Sequence, residues 1–593
     1  MFPDAPEDPG WYLNASELPA RWRSGELSVI LDSTFVFERF ATVCAAFDAI
    51  PGRDRRLHYL TVCPIGTRAP VTPPGSPSIW SAIHRDLARQ WPLPLPGFHL
   101  IDLLEGRIRL HLALGEAAAQ IPFFDARCDA FFLDGRLSSL ASPLARLARH
   151  GSTLVLSKGS HPQIIALEKA GFLMKSADTQ DAFIGHFRAQ KRTRQHIPPT
   201  RSTAEREAIV IGAGMAGTAV STALAGLGWR ISLLEREPKP ASRASGNLAA
   251  IFSPLLSRDD GHAARLSRAC FLRLLQELRS LDPSSLPAHW AACGVLQLPQ
   301  SSQEESHFRS LVLKHSYPED FVAFLEKHEA EQRIGQVLPS GGWFFKNGGW
   351  LNPPSLCAAR IAKHPKISAH FCQDVQRLEP HNQQWTALDS SGRRLASAPV
   401  VVLANAWEAS ALLPKEVTLP FKKVRGQVAH LPSGTIPLTN SVLSGEGYLT
   451  PPVFGRHCLG ATYDFDSSEC SFNLNSHETN LRRLSQLLPE AHPPTAGSPE
   501  GRVGFRSLTP DRMPMVGPIG DVLPAHPDSQ ASLGSHSSGL YGLLGLGSRG
   551  VVWSTLLGEY LAALIHGSPS PLPLDLAAHL NPARFAARTI PQK

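Results

Sequence analysis

The stretch "AIVIGAGMAG", residues 208–217, runs four apolar residues into Gly212, Gly214 and Gly217. In a G-x-G-x-x-G turn between a strand and a helix each glycine has its own reason: a tight turn, close approach of the backbone to a pyrophosphate, and close packing of the helix. The helix N-terminus then faces the phosphates. The next apolar run, "RISLLERE" (230–237), reads as a second strand ending at Glu235, 18 residues beyond Gly217, where a carboxylate can bind a ribose hydroxyl pair. A glycine-rich turn without a ligand leaves that acid unexplained. The spacing therefore predicts dinucleotide binding, with Gly212, Ala213, Gly214, Gly217, Glu235 and Arg236 at the cofactor.

Working outward, 593 residues exceed one hydrophobic core, and roughly 150 residues per domain suggests two to four units. A hydrophobic share of 43% with 18% charged residues is that of a globular protein. The formal charge of +7 is compatible with a polyanionic partner or with a basic background. Nine scattered cysteines without a C-x-x-C pair argue against a zinc site and a secreted disulfide framework, so no metal is expected. The acidic, proline-containing start does not read as a signal peptide, and no run of about 18 apolar residues occurs, so a cytoplasmic enzyme with no membrane contact is expected.

The apolar pattern stops at "FRAQKRTRQHIPPTRSTAERE" (187–207), where basic residues and a Pro-Pro pair suggest an exposed linker, placed at 191–207. Its Lys191, Arg192 and Arg194 are a solvated charge run or phosphate contacts. Before it, "LSVILDS", "RRLHYLTVCP", "DAFFLDG" and "GSTLVLSKG" alternate with helical patterns such as 79–91, which predicts an α/β layer over 1–190. After it, the fold class expected is a dinucleotide-binding Rossmann domain, 208–260 and 500–593, with an α+β substrate domain within about 261–499. The end of the chain, "GLYGLLGLGSRGVVWSTLLGEYLAALIHG", is again a strand feeding a helix through a glycine turn.

The motifs "RASGNLAAIFSPLLSRDD", "GGWLNPPSLC", "VVLANAWEAS", "RGQVAHLP", "GYLTPP", "GFRSLTPDRMPMVG", "GLGSRGV" and "LNPARF" follow one another over 208–593. This half resembles the FAD-dependent amino-acid oxidases of glycine and sarcosine type. More narrowly, the ordered set resembles the family of bifunctional tRNA 5-methylaminomethyl-2-thiouridine biosynthesis proteins, MnmC. The resemblance implies FAD, held also by Ser245, Gly246, Asn247, Gly547, Ser548, Arg549 and Gly550. It implies a wobble uridine of tRNA as partner, oxidised at its carboxymethylaminomethyl group. Arg506 is the expected clamp for the substrate carboxylate, because a planar guanidinium makes two parallel hydrogen bonds, against a structural role. Tyr448 lines the pocket or belongs to a loop. Arg425, Gly426 and Gln427 are expected near the flavin, and Lys422, Lys423 and Arg425 at the tRNA backbone or on a solvated face.

By the same resemblance the first half is a class I methyltransferase-like, Rossmann-like domain that takes S-adenosylmethionine and methylates the new amine. "CDAFFLDG" (128–135) puts Asp134 at a strand end as catalytic carboxylate or as a capping aspartate. Two loops depart from the family. "ILDSTFV" stands where it has an E-L-G-F-G-T-G loop, and without glycine a left-handed turn or a close ligand approach is difficult. "RLSSLASPL" replaces the loop after Asp134. His84, His99, His111 and His161 have no ligand-like spacing, and Trp80 and Trp91 read as core. Three readings remain at this point: a tRNA oxidase with a methyltransferase domain, a small-amine oxidase with an accessory domain, and an oxidase whose first domain only delivers tRNA. A monomer is expected.

Overall fold

The computed structural model describes residues 10–23, 28–52, 56–71, 75, 77–135, 138–177, 182–188, 206–281, 288–414, 417, 419–465, 467–492, 499–519 and 539–588. All but the last two residues of the expected linker, Lys191, Arg192 and Arg194 included, lie outside them. The chain divides into two compact units, residues 1–200 with 563–577, and 201–562 with 578–593.

In the first unit β1 (Ser28–Asp32), β2 (Leu57–Cys63), β3 (Gly97–Leu103), β4 (Ile108–Leu114), β5 (Cys128–Asp134), β6 (Ala148–Ser157), β7 (Phe172–Ser176) and β8 (Ala182–Phe187) form one sheet. Their order is β3-β4-β2-β1-β5-β6-β8-β7. The five central strands are parallel, whereas β3 and β8 run against their neighbours. A parallel sheet is covered on both faces and its strands are apolar throughout; all seven residues of β2 are buried. Val29 and Leu31 enter one core, and Ile30 between them enters the other. Trp80 and Trp91 pack on the Ile30 side. From β1 the chain builds toward β2 and β4, then returns to place β5 on the other flank of β1. The C-terminal ends of β1 and β5 therefore form the switch point, where open α/β sheets bind their ligands.

The second unit is organised around a sheet in the order Ile367–His370, Arg230–Leu234, Glu207–Ile211, Val400–Leu403, Leu540–Leu544, Met515–Pro518. All pairs are parallel except the last. Two of these strands, at 367–370 and 400–403, come from the region expected to be substrate domain. Short apolar runs without their own glycine turn carry no sign of which sheet they join. The same unit contains a mainly antiparallel nine-stranded sheet, whose longest pairing joins Lys422–Pro432 to Glu500–Leu508.

A buried ion pair ties the helices of this unit together. Arg360, only 1% exposed, donates to Glu277 from Nη2 (2.7 Å) and Nε (2.8 Å), and Thr555 adds a third bond to that carboxylate at 2.7 Å. Burial works to raise the Glu277 carboxyl, but Arg360 outweighs it and holds the group below its ordinary value. Glu277→Gln leaves a buried guanidinium without its counter-charge, and a loss of about 3–5 kcal/mol is expected. The folded value lies below the unfolded one, so the contribution is present above the ordinary glutamate range and disappears as pH falls through the folded value. Urea unfolding should show the gap between wild type and variant closing below about pH 4; a gap independent of pH would contradict the assignment.

Candidate functional site

Strand Glu207–Ile211 ends at Gly212, whose φ of +99° a side chain disfavours, and Gly214 caps helix Met215–Gly226. A Cβ at Gly212 would lie 2.9 Å from the Ala404 carbonyl oxygen, and one at Gly217 would overlap the carbonyl oxygen of Gly212. Glu235 accepts the Ala213 N–H at 2.7 Å and the Glu237 N–H at 3.0 Å. Each carboxylate oxygen keeps a lone pair for a ribose hydroxyl. Ser245 accepts the Met215 N–H at 3.1 Å, and Arg502 donates to the carbonyls of Ser242 (2.7 Å) and Arg243 (2.5 Å). A Cβ at Gly246 would overlap Arg502, so the glycine lets that arginine brace the loop.

A cavity of about 410 Å³ opens beside this turn. Gly214, Ser245, Asn247, Gly547, Ser548, Arg549, Gly550, Tyr448 and Arg506 line it together. Gly212, Ala213, Gly217, Glu235 and Gly246 shape the turn and its loop without being part of that lining. Arg236 is taken up by two bonds of 2.6 Å to Glu408. Glycines that a Cβ would fill, an oriented acid at the end of the second strand and an adjoining cavity fit FAD.

Arg506 sits on Glu500–Leu508 opposite Val424. Its Nη1 donates to the Thr462 carbonyl at 3.0 Å, and the guanidinium lies 4.3 Å from the centre of the Tyr463 ring. A Cβ at Gly426 would overlap the guanidinium, so that glycine makes its space. One hydrogen bond of five possible leaves the fork able to take a carboxylate. The Tyr448 hydroxyl donates to the Ala249 carbonyl at 3.5 Å, and burial pushes the phenol above its ordinary value, keeping it protonated. Burial also lowers Arg549 from its ordinary value, against an opposing pull from Tyr463.

The expected basic cluster divides. Arg425, 1% exposed, donates to Asp464 (2.9 Å), Gln427 (2.9 Å) and the carbonyls of Glu469 (2.9 Å) and Ser471 (2.8 Å), so it faces no RNA. Gln427 donates to the Asn473 carbonyl at 2.7 Å. Neither Arg425 nor Gln427 lines the cavity; they fasten the segment that carries Thr462 and Tyr463. Lys423 lies over the rings of Trp407 (4.5 Å) and Phe505 (4.1 Å). Tyr463 and Phe505 line the cavity and were not singled out by the sequence; Phe505 is the chain neighbour of Arg506, whereas nothing local marked Tyr463.

In the first unit Asp134 ends β5, where its N–H donates to Ser33 Oγ at 3.1 Å. Asp32, fully buried at the end of β1, accepts from Arg39 Nε (2.7 Å), Arg39 Nη2 (2.6 Å) and the Tyr59 hydroxyl (2.5 Å). Burial raises its carboxyl above the ordinary value against the pull of Arg39 and Tyr59. Burial alone would lower Arg39, but Asp32 reverses this and raises it. Arg39 also donates to the Thr34 carbonyl at 2.8 Å. These side chains occupy the turn, and they do not fit S-adenosylmethionine there. Arg39→Ala leaves Asp32 buried without its cation, which should cost the first unit about 3–5 kcal/mol; thermal melting of wild type and variant checks this, and an unchanged melt would contradict it. His99 and His111 are buried in the sheet: His111 Nε2 lies 3.0 Å from His58 Nδ1, and His99 meets the Leu95 carbonyl at 3.0 Å. Among the described residues no group of three or more His, Cys, Asp or Glu is placed to hold a metal ion.

Two family models match the chain: FAD dependent oxidoreductase over residues 207–564, and S-adenosyl-L-methionine-dependent methyltransferase over residues 79–138. The chain is 37% identical to the tRNA 5-methylaminomethyl-2-thiouridine biosynthesis bifunctional protein MnmC of Paraburkholderia phytofirmans, covering 98% of this chain and 93% of that protein. It is 38% identical to the protein of the same name from Aromatoleum aromaticum, covering 97% and 93%. Similar solved structures include L-proline dehydrogenase from P. horikoshii, with a TM-score of 0.51, 15% identity, and 65% of this chain and 98% of that one covered. Glycine oxidase from Bacillus cereus gives a TM-score of 0.50, 20% identity, and coverage of 61% and 97%. At such identities these two show the fold alone.

Proposed function

The chain belongs to the family of tRNA 5-methylaminomethyl-2-thiouridine biosynthesis bifunctional proteins, MnmC, and from that premise we propose the division of labour among its residues. The second unit is an FAD-dependent oxidoreductase that acts on the carboxymethylaminomethyl group of a wobble uridine in tRNA. Oxidation of the carbon between nitrogen and carboxylate, followed by addition of water, releases glyoxylate and leaves a primary amine on the base. FAD, when bound, supplies the hydride acceptor for that carbon. Gly214 gives the cofactor room, Gly212 and Gly217 hold the turn and helix close to the strand, Glu235 takes the ribose hydroxyls, and Ser245, Asn247 and the 547–550 turn enclose the cofactor.

Arg506 holds the substrate carboxylate by two parallel hydrogen bonds, with the Tyr463 ring beneath fixing the plane of the guanidinium. Tyr448, kept neutral by burial, presents a hydroxyl and never a second negative charge beside that carboxylate. The observation that carries this reading is the shared cavity: the arginine fork and the cofactor turn line one space. Small-amine oxidation by a chain with an unrelated accessory domain is less well supported, since the relatives named for tRNA modification match both halves. The test is glyoxylate release. Turnover with tRNA bearing the carboxymethylated base and none with free glycine or sarcosine is expected; the reverse pattern would overturn the assignment.

Among the described residues no helix is long and apolar enough to cross a membrane, and none of the nine cysteines is in a disulfide. Our finer reading is a monomer located in the cytoplasm; light scattering of the purified protein at working concentration tests the first part, and fractionation of cells the second.

A further inference from the structure

The chain contains two switch points of open α/β sheets, and only one is built for a ligand. In the second unit the first strand ends in glycines, and the second strand ends in Glu235, oriented by the Ala213 N–H at 2.7 Å. In the first unit β1 ends in Asp32, Ser33 and Thr34, and β2 ends in Cys63, Pro64, Ile65 and Gly66, with no carboxylate to receive a ribose diol. No residue from 32 to 36 has a positive φ. The N–H groups that would face a ligand are spent on the sheet: Ser33 donates to the Phe132 carbonyl at 2.9 Å and Phe35 to that of Val62 at 3.0 Å. Ser33 Oγ takes the Asp134 N–H, so a hydroxyl bridges the two strand ends where a crevice would open.

The side chains close what the backbone leaves. Asp32 and Tyr59 are 0% exposed and Ser33 1%, and the Arg39 fork lies on Asp32. All four donors around that carboxylate, Arg39 Nε and Nη2, the Tyr59 hydroxyl and the Thr34 N–H, come from the protein itself, so a ligand amine entering here has to displace a guanidinium from its bidentate partner. The methyltransferase match, residues 79–138, begins beyond both β1 and β2 and includes none of this turn.

Resting on the oxidase reading above, we propose that the first unit takes no S-adenosyl donor at its switch point and that the chain performs the oxidation alone. The tRNA it releases carries a primary amine. Any methylation then falls to a separate S-adenosylmethionine-dependent N-methyltransferase, in which the amine forms the new N–C bond as the donor's S–C bond breaks and a proton leaves the nitrogen.

Equilibrium dialysis of the full-length flavoprotein against tritiated S-adenosylmethionine, and against S-adenosylhomocysteine as second probe, tests this. No saturable binding is expected from either probe at millimolar concentration. Saturable binding of either one, with or without methyl transfer to aminomethyl-tRNA, would overturn the proposal. Glyoxylate release measured on the same preparation keeps the two readings apart: its loss counts against the oxidase assignment, and donor binding counts against the closed turn.

Discussion

Arg506→Ala is expected to lower kcat/KM for tRNA bearing the carboxymethylaminomethyl group by roughly 100- to 1000-fold. Two charge-assisted hydrogen bonds at about 1.5–3 kcal/mol each set that range once partial solvent replacement is allowed for. Arg506→Lys keeps the charge but loses the fork, and should recover only part of the loss, mostly in KM. Flavin content should not change in either variant, because Arg506 is anchored to Thr462 and Tyr463 and not to the glycine turn. Steady-state glyoxylate release beside the flavin absorbance of each preparation makes the comparison. Equal activity of wild type and Arg506→Ala would remove the arginine from the substrate site.

The second large effect belongs to Gly217→Ala. The added Cβ meets the backbone carbonyl oxygen of Gly212, which cannot rotate away as a side chain does. The helix must retreat from the strand, and with it the N–H groups of its first turn. Overpacking of this kind costs about 1–3 kcal/mol, so FAD affinity should fall by roughly 10- to 100-fold and the protein should purify pale. Gly214→Ala acts differently: within the protein its Cβ meets only Ser245, whose Oγ lies 3.0 Å away, but Gly214 lines the cavity, so the added methyl takes space from the pyrophosphate and FAD affinity should fall here as well. Flavin absorbance per mole of protein measures both. A fully yellow Gly217→Ala protein would contradict the role given to this turn.

How much of this was legible in the sequence follows from which features are local. The glycine turn and Glu235 are encoded within 30 residues, and the structure brings them together through one strand pair, Glu207–Ile211 with Arg230–Leu234. The α/β class of both halves was readable from apolar runs alternating with helical patterns. Arg425 was misread because its basic neighbours, Lys422 and Lys423, are adjacent in sequence; what buries it is the 464–476 segment, some forty residues on. Tyr463 and Phe505 reach the cavity only through the pairings of Lys422–Pro432 with its neighbours, which no periodicity predicts. At "SVILDSTFVF" the sequence showed that glycines were missing, but not what stood in their place. The Asp32–Arg39–Tyr59 cluster answers that: β1 has become a packed strand whose polar end is satisfied from within.

Oxidation without methylation is tested most directly by mass spectrometry of the wobble nucleoside after the flavoprotein has acted on carboxymethylaminomethyl tRNA, with and without S-adenosylmethionine. Conversion to the aminomethyl nucleoside is expected in both samples, to the same extent. An unchanged carboxymethylaminomethyl nucleoside in both would contradict the oxidase assignment, and a methylaminomethyl nucleoside in the sample with donor would contradict the closed turn.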